Sequence, residues 1–505
     1  MVNINKNILR SFLLLSYVAI LALIIFGISS LYSYLNLGAD RNTMLHTEIK
    51  KIDQYIPRLD WAPLSNEGRK IDEQTLSTIE NDYLDAWYVK HVAYKTNNTE
   101  GIDDYYTENA RRNIIDFVAL NLSSTITIDG TTLEHHPKLE FFSEDGQLAV
   151  ITDKDVIEYK RIYQNEKLVL ETKERNTYKS ILLLEDGFWR IRHMIKEQSD
   201  DYEMNIVPSL HQITTLQGIN YYPQATPWDM FGDTFSKEII SKDFEIIKNA
   251  GLNSVRVFVQ YDDFGKANIN EVKLEKLKQT LDSAEEHNLK VLVTLFDFYG
   301  DYSVLNWTLN MHHAETIVST LKDHKAIVAW DIKNEPNLDF ESRGKENVIA
   351  WLDNMIDLVK SIDKKNPVTI GWSNTQSATI LKDKVDFISF HYYEDLETLE
   401  TSIKTLKTET LHKPLVMQEF GRSSYNGFWS PFGSSDEDQA DFHKKAQEII
   451  AANDLQFMSW TLYDFENIPK EVVGRLPWRK NAQKQFGFIN KNGAKKASFK
   501  YISKQ

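Results

Sequence analysis

The sequence predicts an α/β chain in which a (β/α)8 barrel follows a smaller α+β cone-like domain and a single transmembrane helix. Three observations carry this reading. From about Val207, eight short apolar or β-branched runs alternate with helical stretches of about 12 to 20 residues. Ahead of them, helical spacing gives way to period-two alternation broken by turn sequences. At the front, Ser11 to Ala39 holds no charged residue and is dense in Leu, Ile, Val and Phe. At roughly 150 residues per domain, a chain of 505 residues has room for all three parts.

The apolar run comes first. About 20 apolar residues cross a bilayer core, so residues 11–35 are long enough for a retained anchor. They exceed the ~7–15-residue core of a cleaved signal. Lys6 and Arg10 precede the run. The positive-inside bias then sets residues 1–39 as a cytoplasmic stub and anchor, with everything after residue 40 outside the cell at the membrane. Residues 40–66, polar and carrying Pro57 and Pro63, read as a stalk.

In residues 67–204, "IDEQTLSTIENDYLDAWYVKHVAY" places Leu76, Ile79, Tyr83 and Trp87 at helical spacing, and "GIDDYYTENARRNIIDFVAL" is a second helix. The turns "EDGQ", "QNEK" and "EDGF" then divide alternating strands of an antiparallel sheet. His135 and His136 are adjacent, so alternation points them to opposite faces, a poor metal site. Helices leading into such a sheet resemble the nuclear transport factor 2-like cone. The resemblance implies a domain that is catalytic in some members and a spacer or docking surface in others. Here it reads as a spacer, with a possible protein partner.

Residues 205–505 supply the barrel. Its strand candidates are "ITTLQGINYY", "SVRVFVQY", "KVLVTLFDF", "AIVAWDIKNE", "VTIGWSN", "FISFHYY", "PLVMQEFG" and "FMSWTLYDF". Helices are expected at 237–250, 271–287, 313–323, 345–363 and 436–453. Near-continuous apolar strands suit a parallel sheet buried on both faces. An open doubly wound sheet would want a Gly-rich phosphate turn, which the sequence lacks. The formal charge of −15 argues against nucleic acid as a partner and for a neutral ligand. There is no cysteine, hence no disulfide and no thiolate metal site.

Barrel chemistry sits at the C-terminal strand ends. Strand two offers Arg256, strand four Asn334 and Glu335, strand six His391 and Tyr393, strand seven Glu419, and strand eight Trp460. Two carboxylates on one rim are what acetal cleavage asks for: a negative charge on one face of an oxocarbenium-like state and a proton donor on the other. Each residue has a duller reading. Pro336 simply ends a ladder, Arg256 and Glu419 form a structural pair, and Trp460 is core. Their joint arrival at predicted strand ends outweighs these.

"NEP" after strand four and "QEFG" after strand seven resemble the clan A glycoside hydrolases, most of all glycoside hydrolase family 5, over roughly residues 207–500. The resemblance implies Glu335 as general acid/base and Glu419 as nucleophile. It further implies Arg256 and Tyr393 holding the nucleophile, Asn334 on a sugar hydroxyl, His391 beside the acid/base, and Trp460 under the sugar. "LFDFYGDY" lacks the histidine common in cellulases at the end of strand three. Among the rim aromatics, Tyr221, Trp372 and Trp460 are expected to bind substrate. Asp297, Asp301, Asp464 and Glu466 could bind hydroxyls or a structural cation, but their dispersed spacing gives no metal signature, and neither cofactor nor metal is expected. Arg256 is expected to keep Glu419 ionised while Glu335 holds the proton. The chain thus reads as a membrane-anchored, extracellular, retaining β-glycoside hydrolase acting on a poly- or oligosaccharide. The alternative is a catalytically inactive glycan-binding or exopolysaccharide-assembly accessory protein.

Overall fold

The computed structural model of the chain describes residues 55–202, 213–411, 413–427, 433–474 and 476–503, with eight positions between 16 and 27. Those eight positions all fall within the expected anchor, the rest of which lies outside the described residues. Among those described, no helix is long and apolar enough to cross a membrane.

The first folded part is α+β. Helix α1 (Glu73–Thr96) starts at Asp72, whose carboxylate accepts from the Thr75 N–H at 2.8 Å and satisfies an otherwise unpaired donor. It buries Ile79, Tyr83, Ala86 and Trp87 along one face, joined by Ile114 and Val118 of α2 (Glu108–Ser123). Four long antiparallel strands follow: β1 (Ile126–Phe142), β2 (Leu148–Gln164), β3 (Lys167–Glu185) and β4 (Phe188–Asp201). Two of the hairpin turns put both central residues at positive φ, Asn165–Glu166 and Asp186–Gly187, the twist that matches paired strands. His135 and His136 do face opposite ways. His135 is buried on Asp153 at 2.6 Å, while His136 is half-exposed.

The second part is a closed barrel of eight parallel strands. They are β5 (Gln217–Asn220), β6 (Ser254–Gln260), β7 (Lys290–Asp297), β8 (Ile327–Asn334), β9 (Val368–Trp372), β10 (Ile388–Tyr392), β11 (Leu415–Phe420) and β12 (Gln456–Ser459). Outside them run α3 (Lys237–Asn249), α4 (Glu271–Glu286), α5 (Trp307–Leu321), α6 (Lys345–Ile362), α7 (Leu396–Glu409) and α8 (Asp436–Ala452). Two departures from expectation stand out. Helix α5 begins at Trp307, earlier than its periodicity announced, because a 3-10 turn over Val304–Asn306 leads into it and buries the indole. Between β9 and β10 the described structure has only a 3-10 turn, Ser377–Thr379, in place of a full helix. One end of the barrel is plugged by Leu292, Ala329, Val416 and Met458, which leaves the C-terminal strand ends to form a site.

The α+β sheet docks on the α5–α6 flank of the barrel. Tyr159 stacks on Trp307 with ring centroids 4.4 Å apart, and Arg161 donates to the Glu346 carbonyl at 2.8 Å.

Candidate active site

The site is organised around one buried cation. Arg256, on β6, is fully buried and spends its donors in five directions. Nε donates to Thr294 Oγ1 at 2.9 Å, and Nη1 to Asn220 Oδ1 at 3.1 Å and Glu419 Oε2 at 3.3 Å. Nη2 donates to Asp331 Oδ2 at 2.7 Å and Asn334 Oδ1 at 2.9 Å. Asp331 is the closest carboxylate to the guanidinium and also accepts from Gln418 and Thr294. A side chain at Gly371 would stand 3.0 Å from Arg256 Nη2 and 3.1 Å from Asp331 Oδ2, so this strand position is kept bare by the network beside it. Asp331 and Gln418 went unread in the sequence. A lone Asp between Trp330 and Ile332, inside an otherwise apolar run, was the available signal.

From this frame the two glutamates reach one cleft. Glu335 follows β8 with φ 50° and ψ 48°, a left-handed conformation uncommon for a residue with a Cβ. Its N–H is tied to the Gly371 carbonyl at 2.7 Å, and its Oε1 lies 2.8 Å from His391 Nδ1. Glu419, on β11, receives the Tyr393 hydroxyl at 2.7 Å on Oε1. Register shifts in β8 against β9 and in β10 against β11 fall at Asp331/Asn334 and Phe390/His391, where the ladders must re-aim side chains toward the mouth. Single ligand atoms of Glu335, His391 and Glu419 all lie within 4.8 Å of one another. Such a trio has the donors for a divalent ion. Here Nδ1 of His391 is engaged with Glu335, and the guanidinium beside Glu419 opposes a second positive charge.

Charge is distributed differently from the sequence expectation. The hydrogen bond from His391 holds the Glu335 carboxyl below the ordinary glutamate range despite its burial. Burial, with the nearby Glu335 charge adding to it, pushes Glu419 up. The expectation set Arg256 beside Glu419 and the Glu419 charge beside Glu335, whereas the guanidinium gives its shortest bond to Asp331 and is shared among five acceptors. Two carboxylates this close cannot both ionise freely, so the pair loses its two protons in separate steps. Tyr393, raised well above its ordinary value by burial and by Glu419, remains a donor.

The cleft holds about 360 Å³ and is lined by Glu335, Glu419, Asn334, Tyr393 and Trp460. Arg256 and His391 stand directly behind them. Tyr222, Trp228 and Phe258 gather around Trp460 at ring distances of 6.4, 5.8 and 6.4 Å. Val472, Val473 and Phe486, from the segment after β12, add a further wall. Two expected substrate contacts are corrected. Tyr221 is buried behind the barrel wall, its hydroxyl donating to Asp243 of α3 at 2.7 Å. Trp372 is buried against Phe340. Strand alternation explains both, because Asn220 and Gly371 face the barrel interior and turn their successors outward. Tyr222 takes the place expected of Tyr221. Asp297 and Lys333 also line the cleft. Phe428 and Trp429 lie outside the described residues.

Comparison with known proteins gives the site its family. The sequence profile of "Cellulase (glycosyl hydrolase family 5)" matches residues 215–466. The chain is 25% identical over 284 residues to a beta-glucuronidase of Chlorocebus aethiops, covering 51% of this chain and 40% of that protein. It is 25% identical over 206 residues to a mannan endo-1,4-beta-mannosidase A of Emericella nidulans, covering 32% and 53%. Among solved structures, an exo-beta-1,4-mannosidase from Opitutaceae bacterium strain TAV5 aligns with a TM-score of 0.49 and 16% identity, over 59% of this chain and 60% of that one. The chain spans about half or less of the curated relatives it matches. Residues 215–466, which carry both glutamates and the Arg256 frame, are therefore a cellulase-type glycosyl hydrolase family 5 domain.

Proposed function

We propose that the cleft hydrolyses a β-glycosidic bond with retention of configuration, through a covalent glycosyl-enzyme intermediate. The observation that carries this is the approach of Glu335 and Glu419 to within 4.8 Å at a single mouth. Oxygens that close stand nearer to the roughly 5–5.5 Å spacing of retaining carboxyl pairs than to the about 6.5–9.5 Å at which inverting pairs hold a water. Glu419 attacks the anomeric carbon while Glu335 gives its proton to the departing glycosidic oxygen. The C–O bond breaks, and the leaving sugar departs as an alcohol. Water then attacks the glycosyl ester, Glu335 takes its proton, and Glu419 is released. The shared proton must stand on Glu335 when the first bond breaks, and the donors Arg256 and Tyr393 on Glu419 favour that transfer. Trp460 and its aromatic neighbours provide an apolar face for the ring, and Asn334 lies within reach of a sugar hydroxyl.

Relatives named for β-mannosidase and β-glucuronidase activity support a β-linked sugar as substrate. The apolar run at 11–35 completes the reading as an anchor that holds the barrel outside the membrane. The 67–204 domain, nuclear transport factor 2-like in its order of elements, serves as a spacer against the α5–α6 flank.

The test is turnover of β-glucans, β-mannans, xylans and aryl β-glycosides by the full chain. Glu335→Gln and Glu419→Gln should each lose about 10²–10⁴-fold in kcat on the best substrate. The first sugar released should keep its anomeric configuration by NMR. Inverted product, or full activity in both variants, overturns the reading.

A further inference from the structure

Two buried charges in the cleft take no part in the steps above. Asp297 ends β7 and is 3% exposed; Lys333 is 2% exposed, and both line the same cavity as the glutamate pair. The chain is bent to place them there. Phe298, directly after Asp297, and Glu335, two residues after Lys333, both hold positive φ, of 54° and 50°, a conformation that costs free energy and recurs where side chains are aimed at ligands. The Asp297 carboxylate is flanked by the Phe298 N–H and the charge of Lys333, and the Tyr222 hydroxyl is 3.5 Å from its Oδ2, at the outer limit of a hydrogen bond. Lys333 Nζ reaches the Asn334 carbonyl at 3.2 Å and Asp339 Oδ2 at 3.4 Å, which brings it to the root of the Asn334–Glu335 turn. A carboxylate acceptor and an ammonium donor on one wall of a pocket match the adjacent hydroxyls of a pyranose. Packing alone would favour apolar residues there, since buried charge is costly.

We propose that Asp297 and Lys333 read the ring hydroxyls of the sugar at the scission point, Asp297 accepting and Lys333 donating, and so decide which hexose configuration is turned over. This rests on the glycosidase reading of the same cleft. They are specificity residues, acting on the ring and not on the bond that breaks.

The experiment crosses enzyme variants with deoxygenated substrates. Wild type, Asp297→Asn and Lys333→Met, each checked for folding by thermal melting, are assayed on aryl β-glucoside, aryl β-mannoside and their 3-, 4- and 6-deoxy analogues. In the wild type, deleting the hydroxyl read by Asp297 should lower kcat/KM about 10²-fold or more, because the site's polar group is left unpaired. In Asp297→Asn the same deletion should cost less than about 5-fold, with the parent loss falling mainly on KM and the glucoside-to-mannoside ratio shifting at least about 10-fold. Lys333→Met should silence a different, adjacent position. Deoxy penalties and epimer ratios unchanged in both variants overturn the inference and leave hydrolysis standing. A wild type inactive on every glycoside instead overturns the function on which it rests.

Discussion

Arg256 shows why a single side chain cannot be assigned from its identity alone. The sequence pairs it with Glu419, yet its shortest contact is the 2.7 Å bond to Asp331, and Glu419 is held at 3.3 Å. Burial and His391 set the titration of the glutamates more than that contact does. Activity requires the pair to carry one proton. As pH falls through the depressed Glu335 value, a second proton binds and activity is lost; as pH rises through the elevated Glu419 value, the last proton leaves and activity is lost again. A kcat/KM profile should therefore show an acid limb below, and a basic limb above, the ordinary glutamate value of about 4.3. Two limbs merged at that value would mean that the carboxylates titrate independently. Residue parity was also legible and went unused. With Arg256 pointing inward, Asn220 and Tyr222 had to share the interior face, and Tyr221 could not.

Elements, more than residues, were readable from pattern. The strands of both domains were visible in their apolar periodicity, and the "QNEK" and "EDGF" turns in their residue types. No helix was named between β9 and β10, and the connection there is closed by the 3-10 turn packing on those two strands. The interior of the α+β domain carries a network that periodicity does not announce. Asp153 accepts from the Tyr83 hydroxyl at 3.0 Å and the His136 N–H at 2.8 Å and pairs with His135 at 2.6 Å, and His135 Nε2 lies 2.6 Å from Thr132 Oγ1. Asp153→Ala strands several buried polar groups at once. It should destabilise this domain by about 3–5 kcal/mol, read as an earlier unfolding transition, whereas turnover at 25 °C should hold if the barrel folds by itself. A simultaneous loss of turnover would show that docking through Tyr159 and Trp307 supports the cleft.

At the scale of the whole molecule, three buried neutral histidines make acid destabilising, opposed in part by Asp297 and Asp464, whose carboxyls burial raises to about 6. Burial pushes His91 and His443 down to about 3 and His313 to about 4. Below about 6.5 the unfolded chain binds protons at these positions while the folded one does not, so stability falls as pH falls through that window. Glu158, held at about 2 chiefly by Lys160 against its burial, acts in the same sense, since its contribution is lost as pH drops below its unfolded value. Each histidine contributes at most about 1.4 kcal/mol per pH unit. Melting temperature should decline steadily from pH 7 to 4.5, and His443→Phe, which keeps a ring against Phe488, should flatten the slope. An unchanged slope would place the acid sensitivity elsewhere.

The sequence by itself determined the parallel barrel and the order of helices and strands ahead of it. Strand periodicity, turn chemistry and position at strand ends are local properties of the chain. Only the tertiary structure decided which aromatics face the cleft and which carboxylate receives the guanidinium most closely. These depend on distances and burial among strands far apart in the chain, and such quantities have no counterpart in sequence spacing.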